Sequence, residues 1–543
     1  MGQAQSPACC LESEQGEIEP PRFHQDEEEE ADPEKVRTNS VNDLVSQGLK
    51  DVKIQKIASF KAPQGMGNMP ADLTRSGQEL LRGIPLRKTL QRGGKLWRYK
   101  PTDLDLVERL KLYSYSQEVP ELDMFISHTW STPGRWKYLS LLLRFGWRPM
   151  LTAWAIGTFA TAALCLMDGL PLSYRVDAVV IGDGSPVNVG TWLISAGFVS
   201  SMIGLIVSPY LPSRRSDMAF VDCTCVHQVD QVMMQQGINN IGGFLAAAKE
   251  LRVLWSSTYL SRLWCVFELA AYRKVNPTGK ITLSPLFIER ITFQIFLWLE
   301  ALTAGFWYSR IVRSGRMELS GFVLVALLVL GCLAIPLIHS LRHSYLSKKI
   351  LISSLDSFDV RNVECLVDSD RLRIHAAIVS WYGSLDAFSE YVRGPFREDV
   401  LGPLRTPGSI PFGYICVLAT PLISLCLEGL LALLKNEGVP MQNIFAYSLS
   451  TVLALPLFYV PALLVFLVFL CERCATRRPS RWQHYLLTMA IFLILWFLFM
   501  LGSLCAIGSS QHSIEMVLVW TAASILFSCC TWRYCWTWKR VTF

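Results

Sequence analysis

Eight stretches of this chain each approach the ~20 apolar residues needed to cross ~30 Å of hydrocarbon, and no other feature narrows the fold as much. They are residues 150–167, 190–210, 291–308, 319–341, 412–434, 445–470, 484–507 and 514–532. Backbone inside lipid must satisfy its own N–H and C=O groups, so such stretches have to be helices. The third is the weakest, because Glu300 lies within it. Composition agrees: 51% of the 543 residues are apolar and 18% charged, with a mean hydropathy of +0.30. That points to a multi-pass membrane protein rather than a string of soluble domains.

Basic residues collect on the cytoplasmic side of short connections. With the N-terminus inside, the segment after the fourth stretch carries Arg342, Lys348, Lys349, Arg361, Arg371 and Arg373, and the next inner loop carries Arg473, Arg477, Arg478 and Arg481. Outer loops hold little beyond Arg175 and Lys435. Both termini are therefore expected in the cytoplasm, with the membrane itself unspecified. Arg310, Arg313 and Arg316 argue the other way, and a re-entrant third stretch removes that conflict only by upsetting the parity of the rest.

The sixteen cysteines show no secreted disulfide pattern and read as reduced. Cys471 and Cys474 have the spacing of half a zinc site but lack a second ligand pair, so no metal is expected. The net charge of +6 is spread over the inner loops, which gives no nucleic-acid signal. The start, MGQAQSPACC, places Gly2 and Ser6 at myristoylation spacing, with Cys9 and Cys10 available for palmitoylation. Residues 1–95, with the acidic run Asp26 to Glu30, read as a disordered acidic tail.

Between the apolar blocks lies a different grammar. Residues 220–272 read as a strand ending at Asp222, a polar loop, a helix over 238–250, a strand over 252–255, and a helix capped by Ser261 that carries Trp264, Cys265 and Glu268. Trp264 and Glu268 are four apart and share a face. Either they line a cleft at a strand end, or Trp264 is core and Glu268 a solvated carboxylate. Earlier, Met124, Phe125 and Ile126 make a buried strand that delivers Ser127, His128 and Thr129 to one place.

FISHTW, FVDCTCVHQ and YLSRLWCVFEL together resemble the first strand, the loop after the second strand and the acidic helix of a divergent TIR-like domain, of the kind found in multi-pass membrane proteins of protists and algae. The motifs cover about a quarter of the chain, and Cys223 stands where that pattern has lysine. The resemblance implies a flavodoxin-like α/β parallel sheet in the cytoplasm, interrupted by a transmembrane hairpin. The expected division is a first TIR-like part over 96–148, a hairpin over 149–211, and a second part over 212–288. Two transmembrane helices over 289–341, a cytoplasmic helical segment over 342–411, four more helices over 412–534 and a short tail follow. An amphipathic helix over 375–392 is expected to pack on the α/β core, the alternative being that it lies on the membrane.

Some TIR domains cleave the nicotinamide bond of NAD and others act by assembly. In the first case the resemblance makes Glu268 the catalytic acid, with Ser127, His128, Asp222 and Trp264 as ligand-binding candidates and NAD as substrate rather than cofactor. In the second, the domain signals or scaffolds through self-association or other TIR-like domains, held at the lipid bilayer. A transporter or channel is a further alternative, because Glu428 lies inside an apolar stretch that also holds Pro421.

Overall fold

A computed structural model describes residues 81–177, 186–212, 217–256, 258–312, 319–365, 367–398, 411–437, 439–477 and 480–541. Gly2, Cys9, Cys10 and the acidic run lie outside these residues.

The strands are β1 (Arg82–Pro85), β2 (Gln117–Glu118), β3 (Met124–Ser127), β4 (Tyr174–Asp177), β5 (Pro186–Val189), β6 (Met218–Phe220), β7 (Glu250–Trp255) and β8 (Lys280–Pro285). Six of them form one mixed sheet in the order β2-β1-β6-β3-β7-β8, while β4 and β5 pair separately. The run β6-β3-β7-β8 is parallel, and β1 adds antiparallel to β6. Taken in chain order, the parallel strands lie 2-1-3-4, so the direction of winding reverses beside β3. Helices cover both faces. This explains why β7, ELRVLW, is buried along almost its whole length instead of alternating.

The pleat sorts side chains by parity. Phe125 stacks on Phe220 with ring centroids 4.4 Å apart, in a core shared with helix Leu263–Val275. Met124 and Ile126 point the other way, towards Leu141 of helix Gly134–Leu166.

The helices used below are α1 (Leu86–Arg98), α2 (Gly134–Leu166), α3 (Trp192–Val207), α4 (Gln231–Asn239), α5 (Ile241–Ala246), α6 (Leu263–Val275), α7 (Leu286–Val312), α8 (Leu319–Ser354), α9 (Asp368–Tyr382), α10 (Leu385–Tyr391), α11 (Phe412–Lys435), α12 (Met441–Arg473), α13 (Arg481–His512) and α14 (Ile514–Val541). Among the described residues, α2, α3, α11, α12, α13 and α14 each contain a segment long and apolar enough to cross a membrane. The other two expected stretches are helical as well, α7 with 27 residues and α8 with 36. In α12, residues Ser448–Tyr459 adopt π-helical spacing around Pro456.

Contacts sort the helix ends into two groups. At one, Arg342 of α8 donates to the carbonyls of His484 (2.8 Å) and Cys474 (3.2 Å), and Lys348 pairs with Glu472 at 3.3 Å. At the other, Lys435 of α11 pairs with Asp168 at 2.6 Å, and Trp307 of α7 donates to Gly190 O at 2.6 Å. Small residues let α2 and α3 approach: a Cβ on Gly204 would come within 2.5 Å of Pro149 O.

Several boundaries differ from expectation. The sheet begins at β1, so the structured part starts before residue 96, and Trp97 of α1 is fully buried. The first helix and first span are one 33-residue helix, α2, running through Pro149. In place of the helix expected over 238–250 there are two, α4 and α5, meeting at Asn240; Asp230 starts α4 early by accepting from Val232 and Met233 N–H, and Glu250 already belongs to β7. Ser261 is not the cap of α6: its hydroxyl donates to Thr258 O, and Arg262 occupies the cap position. The 375–392 helix is two helices, broken at Gly383 with φ 86°. Both halves pack on the α/β core, where Ile374, Ile378 and Trp381 join Phe267 and Phe388. The α/β domain is thus assembled from three pieces of chain, separated by α2–α3 and by α7–α8.

Candidate functional site

Strand β3 ends in two residues that leave on opposite faces. Ser127 keeps the parity of Phe125 and meets α6; His128 keeps the parity of Ile126 and meets α2. The polar residues expected in one pocket therefore form two neighbouring clusters.

On the α6 side, Ser127 Oγ donates to Glu268 Oε2 and also hydrogen-bonds the Tyr259 hydroxyl. Tyr259 is fully buried, and its hydroxyl lies 3.4 Å from Cys265 O. Glu268 retains a little exposed surface, but its carboxyl sits deep among protein atoms. Burial pushes its pKa up to about 8; the Ser127 bond opposes that and the Asp222 charge adds to it. At neutral pH Glu268 is mostly protonated. Tyr259 lies within a motif the sequence displays, yet nothing in its spacing marks its hydroxyl as a partner of a residue 132 positions earlier.

On the α2 side, Asp222 accepts from Trp130 Nε1 at 2.8 Å and from the Cys223 N–H at 2.7 Å. His128 Nε2 lies 3.4 Å from Asp222 Oδ1, an ion-pair distance without hydrogen-bond geometry. Behind it stands Lys137, only 1% exposed, whose Nζ is 3.3 Å from His128 Nδ1 and 4.6 Å from the Trp130 ring centre. Because Nδ1 accepts from this ammonium, the imidazole proton is assigned to Nε2, facing Asp222. Burial lowers the His128 pKa and Lys137 lowers it further, outweighing Asp222, so the ring is neutral. Burial works to raise the Asp222 pKa, but the charge of His128 when protonated and the two N–H donors hold the carboxyl below its usual range.

Lys137 escapes the sequence reading, since one lysine in the first turn of an apolar helix carries no periodic signal. Its charge acts on the buried Cys223 thiol. Trp264 belongs to neither cluster: its Nε1 donates to Asp370 Oδ2 of α9 at 3.2 Å, and its ring stands edge-on to Phe267.

Hydroxyls bridge the loops that follow β3 and β7. Ser131 and Thr258 are 2.9 Å apart, Thr132 donates to Ser256 at 2.8 Å, and Thr129 reaches Ser131 at 2.7 Å. This polar rim lies at the carboxyl ends of parallel strands, where winding reverses and α/β sheets hold ligands. No group of three metal-ligating side chains occurs among the described residues. The chain matches no protein-family model, no curated protein and no solved structure.

Proposed function

We propose that the chain is a multi-pass membrane protein whose TIR-like α/β domain is a signalling or scaffold module at the cytoplasmic face, recruiting partners or further copies. The observation that carries this reading is the continuity of α2. The helix that holds Lys137 against His128 runs unbroken into the first candidate span. Anything that docks at the hydroxyl rim therefore acts directly on a rod in the bilayer. The basic residues at the domain's end of the bundle, Lys348, Arg473 and Arg481 among them, support a cytoplasmic placement.

NAD cleavage is the second reading, favoured by the meeting of Glu268 and Ser127 at a strand end. It requires an ionised carboxylate to stabilise a ribosyl cation, whereas burial keeps Glu268 protonated up to about pH 8. The full chain, reconstituted in lipid, decides between them when NAD turnover and chemical crosslinking between copies are measured for wild type and Glu268→Gln. The expected result is no NAD loss from either protein and crosslinked assemblies from both. NAD consumption that falls roughly 10²- to 10³-fold in Glu268→Gln replaces the scaffold reading with the catalytic one.

A further inference from the structure

Between α7, α8, α12 and α13 lies a cavity of about 120 Å³, walled only by Ala, Val, Leu, Ile, Phe and Trp side chains. Apolar cavities of roughly this size, about 150 Å³, stay dry and accept a small hydrocarbon. Leu302, Leu337 and Leu467 in its wall keep part of their surface accessible, so it is not sealed. Two of its four helices, α12 and α13, are long and apolar enough to cross a membrane.

One end of the cavity abuts a cationic floor. Leu341 lines the cavity and the next residue is Arg342, whose guanidinium is tied to the backbone of His484 and Cys474. Beyond it, Lys349 donates to the carbonyls of Glu472 (2.7 Å) and Ala475 (3.1 Å), and the one carboxylate acting on it, that of Glu472, is shared with Lys348. Glu472 pairs with Lys348, and Arg481 is exposed. Trp482 and Tyr485, 78% and 52% exposed, mark this level as an interfacial aromatic belt. An apolar slot ending in surplus positive charge at headgroup depth has the shape of one amphipathic molecule.

We propose that this cavity is a lipid site, holding an acyl chain of an anionic phospholipid whose phosphate rests by Lys349 and Arg481. A sterol or another neutral apolar molecule would fill the slot but make no use of the surplus positive charge at Lys349 and Arg481.

The test uses the full chain in nanodiscs containing phosphatidylglycerol or phosphatidylcholine with a photoactivatable diazirine on the acyl chain. Crosslinked peptides are mapped by mass spectrometry. The expected result is saturable labelling at Leu337 and Phe492, displaced by unlabelled phosphatidylglycerol and several-fold weaker from phosphatidylcholine. Filling the slot with Ala334→Phe, or independently with Leu337→Trp, removes labelling at Phe492. Lys349→Glu with Arg481→Glu abolishes the preference for the anionic lipid while labelling from phosphatidylcholine persists. Labelling that does not saturate, matches that of the outward-facing Phe497, or survives both filled variants overturns the site. Equal labelling from the two lipids overturns the assignment of its headgroup.

Discussion

Two titratable clusters flank the end of β3, and each makes a distinct demand on the fold. Glu268 titrates near 8 in the folded chain against about 4.5 for a free glutamate, so between those values the folded state holds a proton the unfolded state has released. Stability must therefore fall as pH rises from about 4.5 to 8 and level off above. Thermal melts of the full chain across that range should show the decline, and Glu268→Gln, which mimics the protonated form, should flatten it. An identical slope in the variant would remove Glu268 as the cause. On the other face, Lys137 and Asp222 are linked through His128 and Trp130. Lys137 is buried, whereas the Asp222 side chain is 44% exposed, so water screens the carboxylate and the link is weaker than one between two buried charges. Lys137→Met should lower stability by about 1 kcal/mol, and Asp222→Asn added to it should recover part of the loss, with a coupling of at most about 1 kcal/mol because the carboxylate is partly solvated. Strict additivity in that double-mutant cycle would show that the two groups do not communicate.

At the scale of elements, one helix is capped from another. The first turn of α3 has no side-chain cap of its own; instead Glu428 of α11 accepts from Leu193 N–H at 2.6 Å, and Glu428 is fully buried. Helix amino ends carry unsatisfied N–H groups and partial positive charge, so a carboxylate there is stabilising. This gives the intramembrane acid a structural occupation that needs no ion path. Glu428→Ala should cost about 1–3 kcal/mol, read as a lowered melting temperature in detergent, because it strands buried donors. An unchanged melting temperature would return Glu428 to the pool of transport candidates. The same scale explains the split of the expected 375–392 helix. Its apolar spacing reports correctly that Ile378, Trp381 and Phe388 face a core, but Gly383 adopts a positive φ, and the Ser384 hydroxyl, accepting from Ala387 N–H, starts a new helix.

For the whole molecule, the three-piece α/β domain constrains how the chain crosses the bilayer. Residues 81–145, 217–285 and 355–398 build one sheet and its covering helices, so each intervening hairpin must return the chain to the side it left. α7 and α8 accordingly cross together or not at all, and a re-entrant α7 alone is ruled out by chain parity. Single cysteines at the exposed positions Ser114, Ser261 and Asp386 should be labelled from the same side of sealed vesicles, and one at Asp168 from the other. A split among the first three would break the domain as described.

The sequence by itself determined the long apolar helices and the α/β segments, because a run of apolar residues and a strand-end motif are local properties read within one stretch of chain. The strands at β3 and β7 were legible for that reason, as was the packing of the 375–392 segment. It also brought Ser127, His128, Asp222 and Glu268 into one neighbourhood, since all four lie at strand ends or on the adjoining helix. Only the tertiary structure decided that they form two clusters on opposite faces, because the direction of a side chain at the last residue of a strand depends on sheet register. It alone brought in Lys137 and Tyr259, joined the first helix to the first span, and sent Trp264 to Asp370. Each of those contacts is made by a pair distant in sequence or by the fate of a helix after its last local signal, and neither is written in composition or spacing.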